Sequence, residues 1–158
     1  MPIFMLTVTF IAIIIHVLLM KNRSAKKIVK VILLYLLVIA VGLSALIAGA
    51  FHVFNGPATA RMIGWEPGSP FQYEVGVADM ALGLIAVLCV FFRGSFWLAA
   101  IIANSFFLLG CMAGHIRSMA ESGNLAAYNI GPNIIISDLI MPLLLIGLYV
   151  AYRRLNRE

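Results

Sequence analysis

Apolar residues fall into five long runs along the chain, and short polar or basic connections separate these runs. A helix rises about 1.5 Å per residue, so each run is long enough to cross the roughly 30 Å hydrocarbon core of a bilayer. The pattern predicts five transmembrane helices, at about residues 2–20, 30–54, 70–92, 96–118 and 132–152.

Proline and glycine mark several of the helix ends. Asn55-Gly56-Pro57 ends the second predicted helix, because proline cannot continue the backbone hydrogen bonds and glycine suits the turn. Ser69-Pro70 begins the third, since serine is a good N-cap and proline is tolerated at the first helical position. Pro142 falls inside the fifth helix and is expected to bend it.

Small residues indicate where the helices pack closely. The fourth predicted helix carries Gly110 and Gly114 at GxxxG spacing, which predicts a packing face. The second predicted helix has a small-residue side suited to close contact, formed by Gly42, Ser44, Ala45, Ala48 and Gly49.

The composition is that of an integral membrane protein. Of the 158 residues, 63% are apolar and 11% are charged, and the mean hydropathy is +1.07. A soluble domain of this size needs more polar residues to cover its surface. The predicted fold class is therefore all-α, a polytopic membrane helical bundle that forms a single transmembrane domain in contact with the lipid bilayer.

Basic residues at the ends of the apolar runs predict the orientation. The side reached by the first connection holds nine of the eleven Lys and Arg residues: Lys21, Arg23, Lys26, Lys27, Lys30, Arg93, Arg153, Arg154 and Arg157. The other side holds Arg61 and Arg117. Cytoplasmic loops carry the excess of basic residues, so we predict a multi-pass cell-membrane protein with its N-terminus outside and its C-terminus in the cytoplasm. The net charge of +5 is then a topology signal, and nucleic acid is not an expected partner.

With this topology, ionisable residues from four helices lie in the outer half of the bundle. They are His52, Glu74, Asp79, His115 and Asp138. Counted from the outer helix ends, Glu74 lies about 6 Å deep, Asp138 about 9 Å and Asp79 about 14 Å. A carboxylate at the depth of Asp79 costs about 2.5–3.5 kcal/mol, so it needs a proton, a partner or water. We predict a ligand site formed by these five residues together with the loop residues Arg61 and Arg117.

A structural alternative stays open. His52 and His115 also suit the headgroup level, and an acid near a helix start complements the helix dipole. Pairing of Arg61 or Arg117 with the acids would make the cluster a link between loops rather than a binding site.

Three classes of function fit the pattern. The first is an outward-facing pocket that binds a cation, a proton or a small polar ligand, with transport included. The second is a membrane redox component, in which His52 and His115 ligate haem, hold a metal ion with Glu74, or line a quinone pocket. The third is an accessory subunit of a larger membrane complex, or a homo-oligomer. The chain has no P-loop, GxGxxG, CxxC or HExxH motif, so the sequence assigns no reaction.

From residue 31 to residue 152 the plan resembles the DoxX-like group of small four-helix membrane proteins. The features that carry the resemblance are the Gly- and Pro-containing loop, Glu74-Val-Gly76, Leu82-Gly83-Leu84, the Arg93-Gly94 turn and Ala99-Ala100. The resemblance implies a four-helix core, with the first helix and its basic connection added outside that core. It implies no particular reaction, because members of this broad group are functionally diverse.

The two cysteines are predicted to be free, buried thiols. Cys89 lies near the inner end of the third predicted helix, and Cys111 lies well along its antiparallel neighbour. Their depths differ by about 18 Å, whereas a disulfide tolerates a Cα separation of about 7 Å.

The orientation is tested by cysteine labelling in intact cells, with one probe at position 24 and another at position 123. We expect a membrane-impermeant reagent to label position 123 and not position 24, because the basic connection lies in the cytoplasm. Labelling of position 24 with protection of position 123 would reverse the assignment.

Overall fold

A computed structural model describes residues 2–156 of the protein. Across that range it has no β-strand, and five of its helices are long and apolar enough to cross a membrane, so the predicted fold class is confirmed. In chain order the helices are α1 (Pro2–Leu19), α2 (Ala25–Phe54), the short α3 (Gly56–Ile63), α4 (Phe71–Leu88), α5 (Ser95–Ser122) and α6 (Ala127–Leu155).

Some helix ends differ from the predicted ones by about one turn. α2 begins at Ala25, so Lys26, Lys27 and Lys30 lie on its first turns rather than in a loop. α5 continues past its predicted end to Ser122. With 30 and 28 residues, these helices are about 45 and 42 Å long, more than the hydrocarbon core, so their ends project into the headgroup layers.

The connection between the second and third membrane helices contains a helix that the sequence analysis did not predict. Asn55 does end α2, but the chain then enters α3, because the fixed backbone angle of Pro57 suits the first turn of a helix. Gly64 ends α3 in the left-handed conformation, with φ of 81°. The next residue, Trp65, is thereby held back against the bundle by a bond from its N–H to the Ala60 carbonyl at 2.9 Å.

α2 and α4 make the most extensive helix contact, and glycines form it. Gly49 faces Gly76, and Gly42 faces Gly83, along two antiparallel helices. A Cβ atom at position 49 would lie 2.5 Å from the Gly76 carbonyl oxygen, and one at position 83 would lie 2.8 Å from the Gly42 carbonyl oxygen. Only glycine allows backbones this close. The predicted small-residue side of α2 is confirmed at Gly42 and Gly49.

The packing face predicted at Gly110 and Gly114 is wrong within this chain. A Cβ atom at either position would meet nothing within 4 Å. α5 instead turns its opposite side inward and buries Asn104, Met112 and His115. The amide and the imidazole find hydrogen-bond partners inside the bundle, which favours this rotation of the helix.

Both longest apolar helices change to π-helical hydrogen bonding over a short stretch. In α2 the π-helical segment is Leu36–Leu43, and in α6 it is Ile135–Ile140. The second segment ends just before Pro142, which lacks the N–H that would bond the Asp138 carbonyl in an α-helix. Where the sequence predicts a bend, the structure thus has a change of hydrogen-bond register.

The apolar core occupies one half of the bundle, between α2, α5 and α6. Its most buried side chains are Leu33, Leu36, Leu37, Trp97, Ile101 and Leu145. α1 packs along α2 and lies at the edge of the bundle, where it buries Met5, Thr9 and Ile13. We call the half of the bundle that holds this core, towards residues 20–30, the basic end. The half towards residues 55–70 and 123–133 is the polar end.

Both cysteines are free thiols, as predicted, but the predicted burial is confirmed only for Cys89. Cys89 is buried after the last turn of α4, and Cys111 is half-buried on α5. No covalent bond therefore ties the connections of the described chain together, and hydrogen bonds hold them instead.

The glycine contact predicts opposite effects for two alanine substitutions. Gly49→Ala should lower the free energy of unfolding by about 1–3 kcal/mol, because the methyl group meets the Gly76 backbone. Gly110→Ala enters open space and should raise that free energy by up to about 1 kcal/mol, because alanine favours helix over glycine. Thermal unfolding of the purified proteins in one detergent measures both. Equal melting temperatures would contradict the contact.

Candidate functional site

The polar end is organised around His115, which lies on α5 and is only 7% exposed. Its Nδ1 is 2.8 Å from Asn129 Oδ1. The orientation of the Asn129 amide is fixed, because its Nδ2 donates to the carbonyl oxygens of His115 at 3.2 Å and Asn124 at 2.8 Å. The Asn129 oxygen must therefore accept, so His115 Nδ1 carries a hydrogen. The other ring nitrogen, Nε2, is the one whose protonation can change.

His115 Nε2 faces a carboxylate on α6. The distance from this nitrogen to Asp138 Oδ2 is 3.8 Å, and the Asp138 side chain is also nine-tenths buried. The second carboxylate oxygen lies 2.6 Å from the Ser137 hydroxyl, which donates to it. Asp138 lies in the π-helical segment Ile135–Ile140, which places it on the inner side of α6. An imidazole and a carboxylate thus form an ion pair inside the bundle when His115 is protonated.

Two further groups complete what we call the interior cluster: Asp79, Cys111, His115 and Asp138. Asp79 lies on α4, beside Gly49 of α2, and is half-buried. Cys111 lies one turn before His115 on the same helix, and Asp79 lies within electrostatic range of Asp138. Among residues 2–156, no Lys or Arg forms an ion pair with these two carboxylates.

An aromatic side chain covers His115. The ring of Trp65 stacks on the imidazole with centroids 5.8 Å apart and planes 21° from parallel. Trp65 also contacts Phe71 at the start of α4. The loop that carries Trp65 is joined to the end of α5, because Asn124 Nδ2 donates to the Ile63 carbonyl at 2.9 Å. The connection that carries Trp65 and the connection that carries Asn124 therefore cover the cluster as one bonded unit.

Of the seven predicted ligand residues, the structure pairs two directly, His115 and Asp138, and Asp79 lies in the same interior region without a hydrogen bond or ion pair to either. His52 instead meets Gln72, with 2.6 Å between Nδ1 and Oε1, about 10 Å along α4 from Asp79. Glu74 lies in the first turn of α4, but its side chain is exposed.

The two predicted loop cations stay outside the cluster. Arg117 pairs with Glu121, one turn further along α5, at 2.8 Å, and both side chains are exposed. Arg61 is exposed on α3. The alternative in which these arginines bind the buried acids is not what the structure shows.

The metal prediction at His52, Glu74 and His115 is corrected by the geometry. Across residues 2–156, no three side chains among His, Cys, Asp and Glu are close enough to hold a metal ion. The reason is that His52 is engaged with Gln72, Glu74 points away from the bundle, and His115 faces Asn129 and Asp138. Haem ligation and a quinone pocket stay predictions.

The neutral side chains that build the site are not among the predicted site residues. Asn129 is fully buried in the first turn of α6, before the break at Gly131, and Gln72 is 5% exposed on α4. A usable signal exists for Asn129, since it stands just before the Gly131-Pro132 break, where the backbone leaves polar groups without helical partners. Gln72 carries no comparable signal.

A family model described as a family of unknown function (DUF6790) matches residues 1–158. No curated protein and no solved structure matches the chain. These comparisons do not test the DoxX-like resemblance, which stays a prediction.

The central role of Asn129 is testable by substitution. Asn129→Ala removes the partner of the buried His115 Nδ1 and the amide bonds to the carbonyls of His115 and Asn124, so we expect a loss of about 1–3 kcal/mol in the free energy of unfolding. Asn156→Ala is the matched control, because its exposed amide bonds only the Tyr152 carbonyl, and it should change stability by less than about 0.5 kcal/mol. Denaturant unfolding measures the difference, and similar losses in the two variants would contradict the role of Asn129.

Proposed function

Because the chain belongs to the DUF6790 family, whose description gives no function, we propose a function from the site: the interior cluster binds a proton taken up at the polar end. The observation that carries this proposal is the buried His115–Asp138 pair, with a second carboxylate, Asp79, within electrostatic range on α4. Among the described residues, no lysine or arginine balances these acids. Positive charge must come from outside.

The negative charges of Asp79 and Asp138 need compensation inside the membrane. A carboxylate inside a bilayer costs about 2.5–3.5 kcal/mol on insertion scales, and two nearby carboxylates repel each other. A proton bound by the cluster removes one negative charge or creates an imidazolium beside Asp138. A metal ion is a poorer fit, because no three-ligand group is present among residues 2–156.

The geometry gives each residue a part in proton binding. Asn129 holds the His115 ring with a hydrogen on Nδ1, so that Nε2 receives the incoming proton. Asp138 stabilises the resulting imidazolium, and the Ser137 hydroxyl orients the carboxylate. Trp65 covers the imidazole on the side of the loops and limits the access of water.

The distribution of polar groups supports binding from one side of the membrane. Beyond the cluster, the core towards the basic end is built from large apolar side chains such as Leu33, Leu37 and Leu145. The buried polar groups of α5 in this direction are Asn104 and Ser105, which are not acids or bases near neutral pH, so we propose a reversible proton-binding site rather than a channel. With the orientation that the basic residues predict, the site faces the outside of the cell.

The stacked pair of Trp65 and His115 gives a direct test. An imidazolium ring stacked on an indole quenches its emission, so tryptophan fluorescence should fall as the pH is lowered. Trp65→Phe should remove the pH-dependent part of the emission and leave the signal of Trp97, which lies at the basic end. Asp138→Asn should remove most of the quenching, because loss of one partner of a buried pair costs roughly 3–5 kcal/mol.

Glu74→Gln is the matched control for Asp138→Asn. It removes an acid at a similar predicted depth in the membrane, but this side chain is exposed and lies outside the cluster. The pH dependence of the tryptophan emission should therefore be unchanged. If the emission of the Asp138→Asn protein depends on pH as strongly as that of the unaltered chain, the His115–Asp138 pair does not bind the proton. If the emission of the Trp65→Phe protein still depends on pH as in the unaltered chain, the pH-dependent signal comes from Trp97 and not from the stacked pair.

A further inference from the structure

A groove at the basic end carries a feature that the proton site does not explain. It lies between α1 and α2 and has a volume of about 520 Å³. Its lining is apolar except for one histidine and one tyrosine: Ala12, Ile15, His16, Leu19, Met20 and Tyr35.

The two polar side chains of this groove bind each other. His16 Nδ1 lies 3.0 Å from the Tyr35 hydroxyl, and the rings meet edge to face with centroids 5.5 Å apart. His16 is exposed on the outer surface of α1, about one turn before the helix ends at Leu19. The pair therefore lies at the depth where acyl chains meet headgroups, and it faces lipid rather than the bundle.

Fixed positive charge stands beside the groove. The Arg23 guanidinium donates to the Leu18 carbonyl at 2.6 Å, which places it at the end of α1, next to the lining residue Leu19. Lys21 follows the lining residue Met20 directly and is exposed. The remaining N–H groups of a guanidinium suit two oxygens of one phosphate.

We propose that this groove binds an anionic phospholipid. The phosphate lies against Arg23 and Lys21, the Tyr35–His16 pair hydrogen-bonds the glycerol ester region, and an acyl chain follows Ala12, Ile15 and Leu19 along α1. Charge complementarity selects an anionic lipid over a zwitterionic one, because a neutral headgroup gains less from two adjacent cations. The bound lipid fills the groove between α1 and the rest of the bundle.

A second groove at the same end serves as the comparison. It has a volume of about 390 Å³ between α5 and α6 and is also flanked by arginines, Arg153 and Arg154. Arg153→Gln therefore removes the same charge at the same end of the bundle and leaves the α1–α2 groove intact.

The experiment uses the full chain in a mild detergent, incubated with phosphatidylglycerol or with phosphatidylcholine, and native mass spectrometry counts the retained lipid. We expect preferential retention of phosphatidylglycerol. Arg23→Gln should reduce it about fivefold, the effect of one basic residue near anionic lipid. Tyr35→Phe should also reduce it, whereas Arg23→Lys should retain most of it and Arg153→Gln all of it.

Two outcomes would overturn the proposal. Equal retention of the two lipids by the unaltered chain would show that the groove holds bilayer lipid without selecting charge. A loss in Arg153→Gln as large as that in Arg23→Gln would place the lipid elsewhere. Because Arg23 also bonds the end of α1, the helix content of Arg23→Gln is compared with that of the unaltered chain, and Tyr35→Phe keeps the test valid if it has fallen.

Discussion

The close contact between α2 and α4 is the constraint on which the other arrangements of this bundle depend. Four glycines, Gly42, Gly49, Gly76 and Gly83, let the two backbones touch. In a bilayer there is little hydrophobic gain from helix association, so packing of this kind has to supply the attraction. The contact also fixes the rotation of α4, and this rotation turns Asp79 inward beside Gly49 while Glu74 points outward.

At the polar end, side chains provide the hydrogen bonds that water would provide to exposed backbone groups of a soluble protein. The π-helical register of α6 and the break at Gly131 leave backbone and side-chain groups that need partners. Asn124 and Asn129 join the segments of the polar end, because the Asn124 amide donates to the Ile63 carbonyl and the Asn129 amide donates to the carbonyls of His115 and Asn124. The same amide that closes the connection also sets the hydrogen position on His115. Loop structure and site chemistry are therefore one network, and a change in either alters the other.

The sequence predicts the spans and the depth of polar groups well, but not the direction in which they point. Five apolar runs define five helices because a bilayer demands a minimum apolar length. The rise per residue also places His115 and Asp138 at matching depth, and the structure pairs them. Depth does not fix rotation about the helix axis, so His52 and Glu74 leave the predicted site. Rotation depends on glycine contacts and on neutral partners such as Gln72, which have no charge or hydropathy signal.

α2 links the two ends of the molecule and faces a different neighbour at each. Tyr35, before the π-helical segment Leu36–Leu43, faces the groove beside α1, whereas Gly49, beyond it, faces α4. A π-helical turn takes more residues than an α-helical turn, so it rotates the face that follows relative to the face that precedes. Without this change of register, the faces that carry Tyr35 and Gly49 would be related by a different rotation about the helix axis. The rare backbone geometry of α2 thus has a structural reason: it lets one helix close a lipid-facing groove at the basic end and form the glycine contact at the polar end.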